Sequence, residues 1–209
     1  MAITDPYATA AQYRTSISKS STGDDTIIGD QLTMMSRYLD GRIGRHFTKD
    51  ASAVARPFIR QPLSDPRRLY VHDLAAAPTE IIVDTDNDGS FADETAISSA
   101  NWELWPLNAA LGPEPHPWTS ILLPAWSSEG EWPAGVRVRV TAQFGWPSVP
   151  VAVREACIEL TSIFRMQSPR ATNRVEEMGA VVGASRESQT LVSELIERYA
   201  RVERALGFA

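Results

Sequence analysis

A chain of 209 residues that is 43 % hydrophobic can bury a real core and does not need disulfides or metal for stability. Its net charge of −6 and pI near 5.1 argue against a groove that grips nucleic acid by neutralising phosphates, while leaving DNA free to pass close by. No apolar run approaches the ~20 residues that span a bilayer, and the opening MAITDPYATAAQYRTSISKS lacks the basic start and apolar centre of a signal peptide; a soluble protein made in the cytoplasm, without membrane contact, is expected.

In chain order, Thr4 or Asp5 can cap a short helix that Pro6 opens and that Tyr7, Ala10, Ala11 and Tyr13 continue. A polar connector, SKSSTGDD, leads to Asp24 and Asp25, whose charges suit the positive end of the next helix. That helix runs from about Asp25 to Arg45, with Ile28, Leu32, Met35, Leu39 and Ile43 on one face, widened by Ile27, Met34 and Tyr38. Gly41 and Gly44 weaken its last turns, where Arg42, Arg45 and His46 meet the negative end of the dipole.

From Lys49 the period drops to two and prolines accumulate, through ARPFIR, RRLYVHDL, TEIIVDTD, NWELWPL, WTSILLPA and VRVRVTAQF. In the last, Val136, Val138, Val140, Ala142 and Phe144 alternate with Arg137, Arg139, Thr141 and Gln143, one face buried and one wet. Residues 50–146 read as an antiparallel β-insertion, and Trp102, Trp105, Trp118, Trp126 and Trp132 fall in or beside its loops, as core filling or as a surface for a partner.

The chain then turns at Gly145-Trp146-Pro147 into a helix capped by Ser148 and opened by Pro150, with Val149, Val153, Ala156, Leu160, Ile163 and Phe164 as its stripe. Cys157, inside that helix, reads as a small buried apolar residue. Ser168-Pro169 ends it, because the residue before proline leaves the α region. An extended arm, RATNRVEEMGAVVGASRESQ, leads to a closing helix from about Ser188 to Leu206 with the stripe Leu191, Leu195, Tyr199, Val202 and Leu206, supported by Glu194–Arg198 and Glu197–Arg201 and ended by Gly207. The expected class is α+β: a helical core of N-terminal helices (1–49) and two C-terminal helices with the arm (147–209), and an inserted antiparallel β-region (50–146).

Chemical motifs are sparse. DTDNDGSFADET places Asp84, Asp86 and Asp88 at alternate positions before Gly89, as in a calcium loop. Position twelve of such a loop, however, is Thr95, with Glu94 one place early, and the flanks are strands; the reading is a hairpin turn in which Asp and Asn bond their own backbone, with no metal assigned. His46, His72 and His116 have no ligand partner at helical or hairpin spacing. There is no G-x-S-x-G, phosphate loop or H-E-x-x-H, and nothing singles out Glu80, Glu94 or Glu103, so neither an enzyme nor a cofactor is expected.

The order of these elements resembles the head-tail connector proteins, or head-to-tail adaptors, of tailed bacteriophages. Tyr7 to Tyr13, Asp24 to Phe47, the Phe144-Gly145-Trp146-Pro147 turn with Val149-Pro150 and its helix, and Leu191 to Tyr199 carry the resemblance, and VDTDNDGSF, WELWPLNAA and PWTSILL are similar to the β-region of long actinophage-type members. The resemblance implies a structural virion protein at the head-tail neck. Such a protein forms a ring, commonly twelvefold, that joins the portal to a stopper or tail protein and extends the channel through which DNA passes without specific binding. It also implies docking on the portal by Glu176 to Leu206, with Leu191, Leu195, Tyr199, Val202 and Leu206 as contacts, so that removal of the chain from Ser188 leaves a folded subunit unable to attach. Two other readings stay open: a monomeric module whose tryptophan-rich insertion binds a small ligand or glycan, and a hydrolase using the aspartate-rich hairpin with a divalent metal.

Overall fold

The computed structural model describes residues 5–111, 113–167 and 186–199, and the chain divides into two compact units: Met1–Thr48 with Val149–Arg201, and Lys49–Ser148. The class is α+β, with helices in one unit and two antiparallel sheets in the other. No helix among the described residues is long and apolar enough to cross a membrane.

The helical unit holds α1 (Ala10–Ser16), α2 (Asp25–Ile43), α3 (Val151–Gln167) and α4 (Arg186–Tyr199). The first helix starts later than Pro6, because Thr9 and Gln12 form a capping box. The Thr9 hydroxyl accepts the Gln12 amide at 3.2 Å and the Gln12 side chain accepts the Thr9 amide at 2.8 Å, which satisfies two otherwise unpaired donors at once. Tyr7 is thereby left outside the helix. The expected face of α2, Ile28, Leu32, Met35, Leu39 and Ile43, is buried throughout, but Ile27 is 50 % exposed and widens nothing. Its start is fastened by ion pairs from Arg14 to Asp25 at 2.9 Å, Lys19 to Asp24 at 2.9 Å and Arg165 to Asp24 at 3.4 Å. The Lys19 hydrogen bond and charge, followed by the charge of Arg165, hold the Asp24 carboxyl below its ordinary range. Its end is set by Gly44, left-handed at φ 71°, whose amide donates to the Asp40 carbonyl at 2.8 Å.

In α3, Val153, Ala156, Cys157, Leu160 and Phe164 form the buried face. Helix α2 packs on α1, α3 and α4, and α3 also packs on α4. This places Cys157 in the middle of the unit, as its apolar setting implies.

The second unit is built on two three-stranded sheets, β1 (Val54–Ile59)–β6 (Arg137–Ala142)–β3 (Glu80–Val83) and β2 (Arg68–Leu74)–β5 (Trp118–Leu122)–β4 (Glu103–Trp105). The strand with the cleanest alternation, β6, is central: Val138, Val140 and Ala142 point inward, and the register pairs Val140 with Arg56 on one side and Ile81 on the other. The Pro57 in β1 is tolerated because β1 is an edge strand, where a missing N–H breaks no inner ladder. Leu69, Leu74, Ile81, Ile121, Trp132 and Phe144 complete the core. After β6 the chain leaves through Gly145 at φ 114°, a conformation closed to most side chains, and its amide donates to the Asp73 carbonyl at 2.7 Å.

The tryptophans divide. Trp132 is core, its indole N–H donating to the Ile121 carbonyl at 3.2 Å, and Trp102 and Trp118 pack against the same cluster. Trp105 lies under the Arg68 guanidinium at 4.9 Å, and Trp126 is 63 % exposed.

Candidate functional site

Helix α4 joins its unit along one side. Val192, Leu195 and Tyr199 recur at three- and four-residue steps and are buried, Leu195 at 4 % and Tyr199 at 2 % exposure, while Leu191 sits at the edge of that side and Glu194, Glu197 and Arg198 point away. The Tyr199 ring meets Phe47 edge-on at 5.4 Å, and the Arg45 guanidinium donates to the Tyr199 carbonyl at 2.8 Å. Of the stripe expected to face a partner, Leu195 and Tyr199 therefore serve the chain's own core, joined by Val192 rather than Leu191. Val202 and Leu206, most of the arm, and the Glu197–Arg201 pair lie outside the described residues. A helix whose apolar side is covered internally is part of its unit, so removing the chain from Ser188 uncovers core rather than leaving it intact.

Beneath this helix lies a polar network that periodicity alone did not point to. Ser36 and Asp40 follow Leu32 at four-residue steps on the buried side of α2. The Tyr7 hydroxyl donates to Asp40 Oδ1 and accepts the Phe47 amide at 3.0 Å, and the Tyr7 amide donates to Ser36 Oγ at 2.9 Å. Arg37 Nε at 3.2 Å and His46 Nδ1 at 3.0 Å approach the second Asp40 oxygen. Ser36 Oγ also donates to the Leu32 carbonyl at 2.7 Å and touches Cys157 Sγ at 3.4 Å. Burial, reinforced by the hydrogen bond and charge of Asp40, raises the Tyr7 phenol far above its ordinary range, so it stays a donor. Burial likewise pushes the Cys157 thiol up to about 11, which leaves it without the thiolate that nucleophilic chemistry needs. This network ties the N-terminal segment to α2, to Phe47 just beyond it and, through Ser36, to Cys157 of α3, and reads as structure. The signal that could have revealed it is the insertion of Ser36 and Asp40 in an otherwise apolar line.

The aspartate-rich turn follows β3. Asn87 is left-handed at φ 59° and Gly89 at φ 88°. Asp86 accepts the Asp88 amide at 3.2 Å and Asp88 the Ser90 amide at 2.6 Å, the backbone-bonding turn that the sequence implies. Glu94 folds back to accept both the Thr85 hydroxyl and amide at 2.6 Å, and these bonds hold its carboxyl below the ordinary range. Asp84 differs from its neighbours: it is completely buried, one oxygen accepts the Gly89 amide at 3.1 Å, and the other, Oδ1, has no hydrogen-bond donor. Oxygens of Asp84, Asp86 and Asp88 lie within 4.8 Å of one another. Of the histidines, His46 joins Asp40, His72 packs edge-on against Phe58 at 5.3 Å and His116 against Trp146 at 5.5 Å. Among the described residues no histidine belongs to a metal-like group.

Helical and β units in this order have counterparts among solved structures. A chain in the neck of an empty gene transfer agent particle, computed with C6 symmetry, superposes with a TM-score of 0.53 over 92 % of this chain and 89 % of that one, at 17 % identity. A chain of the native gene transfer agent virion superposes at 0.50 with the same coverage of both and 16 % identity. This chain shares its fold with these gene transfer agent chains. Because the coverage is nearly complete on both sides, the shared fold includes the β unit as well as the helices. By sequence, no family model and no curated protein matches the chain. The likeness is thus carried by the arrangement of elements rather than by shared residues.

Proposed function

We propose that this chain is a structural virion protein of a phage-like neck: a head-to-tail adaptor that assembles as a ring under the portal and extends the DNA channel toward the tail. The observation that carries the reading is the neck fold shared over 92 % of the chain. The symmetry of that neck supports a ring, since a twelvefold ring contains the sixfold operation as a subgroup. The acidic balance suits a lumen along which DNA slides without being held. In this reading 1–49 and 147–209 form the adaptor core, and 50–146 forms the insertion that meets the next ring.

The docking role proposed for Leu191, Leu195, Tyr199, Val202 and Leu206 takes a modified form. Leu195 and Tyr199 seat α4 on its own chain, so they position the segment, and the described surface left for a portal is the outward side with Glu194 and Glu197 exposed and Leu191 at its edge. Light scattering coupled to size exclusion, with negative-stain imaging, tests the proposal with and without the portal rings of the same particle. Rings, or a monomer that becomes a ring on the portal, are expected. A monomer indifferent to portal refutes the adaptor role and leaves a binding module, with exposed Trp126 as the place to begin. Charge reversal at Glu194→Lys with Glu197→Lys is expected to leave the fold intact and weaken portal attachment at least tenfold; unchanged attachment would remove α4 from the docking surface.

A further inference from the structure

We propose that the turn Asp84–Gly89 is a calcium site, with Asp84, Asp86 and Asp88 as its carboxylate ligands. Calcium binds six to eight hard oxygens at about 2.4 Å, so two ligands on opposite sides of the ion stand about 4.8 Å apart at most. The oxygens of these three residues fall inside that limit. Proximity of acidic groups alone would not argue for an ion, because a solvated turn can hold them. Asp84 supplies the separate observation. Its side chain is completely buried at the base of the turn, and Oδ1 has no donor among the described residues, although a buried carboxylate oxygen normally collects one. The Gly89 amide satisfies Oδ2 and fixes the side chain so that it meets Asp86 and Asp88, both exposed at the mouth.

Three carboxylates whose oxygens lie within 4.8 Å of one another repel. The Arg137 guanidinium lies beside Gly89, 3.0 Å from where a Cβ would stand, and offsets part of this charge. A divalent cation satisfies the orphan oxygen and relieves the mutual repulsion together. Backbone carbonyls and water would complete the shell, the usual arrangement where a loop supplies few side-chain ligands. Glu94 does not take part, being held by Thr85. The helix-loop-helix spacing therefore does not apply, and strand flanks are no obstacle. The inference stands whether or not the chain occupies a neck.

Calorimetric titration of the EDTA-stripped full chain with CaCl2, and separately with MgCl2, tests the site. One calcium per chain is expected, with weaker or absent heat for magnesium, and a melting temperature raised by roughly 5–10 °C when calcium is a hundredfold above its Kd. Asp86→Asn with Asp88→Asn, both at exposed positions, is expected to abolish the heat and the shift while leaving the metal-free melting temperature equal or higher. Asp84→Asn is expected to do the same and to melt higher in EDTA than the unaltered chain, because it removes a buried charge. Absence of calcium heat at about 10 mM, above the weakest range for such loops, overturns the proposal, as does calcium heat that survives in the double variant.

Discussion

Truncation after Glu187 removes α4 almost whole and tests whether this helix belongs to the core or merely hangs from it. Val192, Leu195 and Tyr199 are each buried to within a few per cent. Burying one such side chain contributes about 1.5–3 kcal/mol, so the three together account for about 5–9 kcal/mol. A typical domain is stable by only about 5–15 kcal/mol. Truncation is therefore expected to unfold the helical unit or reduce it to a partly ordered state, and the single change Leu195→Ala to destabilise by about 2–4 kcal/mol through the cavity it leaves. Urea denaturation followed by far-UV circular dichroism gives both numbers. A truncated chain with an unchanged midpoint and full helical signal from α1 to α3 would show that α4 adds nothing to the cooperative core, and the positioning role given to Leu195 and Tyr199 would fall with it.

Tyr7→Phe deletes a hydroxyl that serves both Asp40 and the Phe47 amide; each loses one buried hydrogen bond, and a destabilisation of about 2–3 kcal/mol is expected in the same urea assay, with less than about 0.5 kcal/mol counting against the network. Cys157 holds its proton to about 11 when folded, against an ordinary 9.0, so its contribution is complete below pH 9 and is lost as pH rises toward 11. Cys157→Ala is expected to flatten the fall of stability across that window, and an unchanged slope would refute the assignment.

The elements most legible in the sequence are those whose partners lie within one turn or one strand. The alternation from Val136 to Phe144 marks a half-buried strand, the spacing of Ile28, Leu32, Met35, Leu39 and Ile43 marks a helix face, and Gly145 marks the turn that only a residue without Cβ adopts easily. Each of these is a local property, fixed by backbone geometry and repeated burial. Their order, helices then strands then helices, was enough to imply an α+β chain with an inserted sheet and a resemblance to neck proteins.

What the sequence left open depends on residues far apart in the chain. Which side of α4 is buried was decided by Phe47 and the surfaces of α2 and α3, so Val192 replaced Leu191. The start of α1 moved because Thr9 and Gln12 close a capping box that releases Tyr7 to reach Asp40, thirty-three positions away. Asp84 looks like its neighbours Asp86 and Asp88 in sequence. It stands apart only in the folded chain, where it is completely buried and one oxygen is left without a donor. By itself the sequence determined periodicity, turns and element order, because those follow from each residue's own backbone and its nearest neighbours. Tertiary structure alone decided which polar groups are desolvated and what they meet, because desolvation is a property of everything packed around a group.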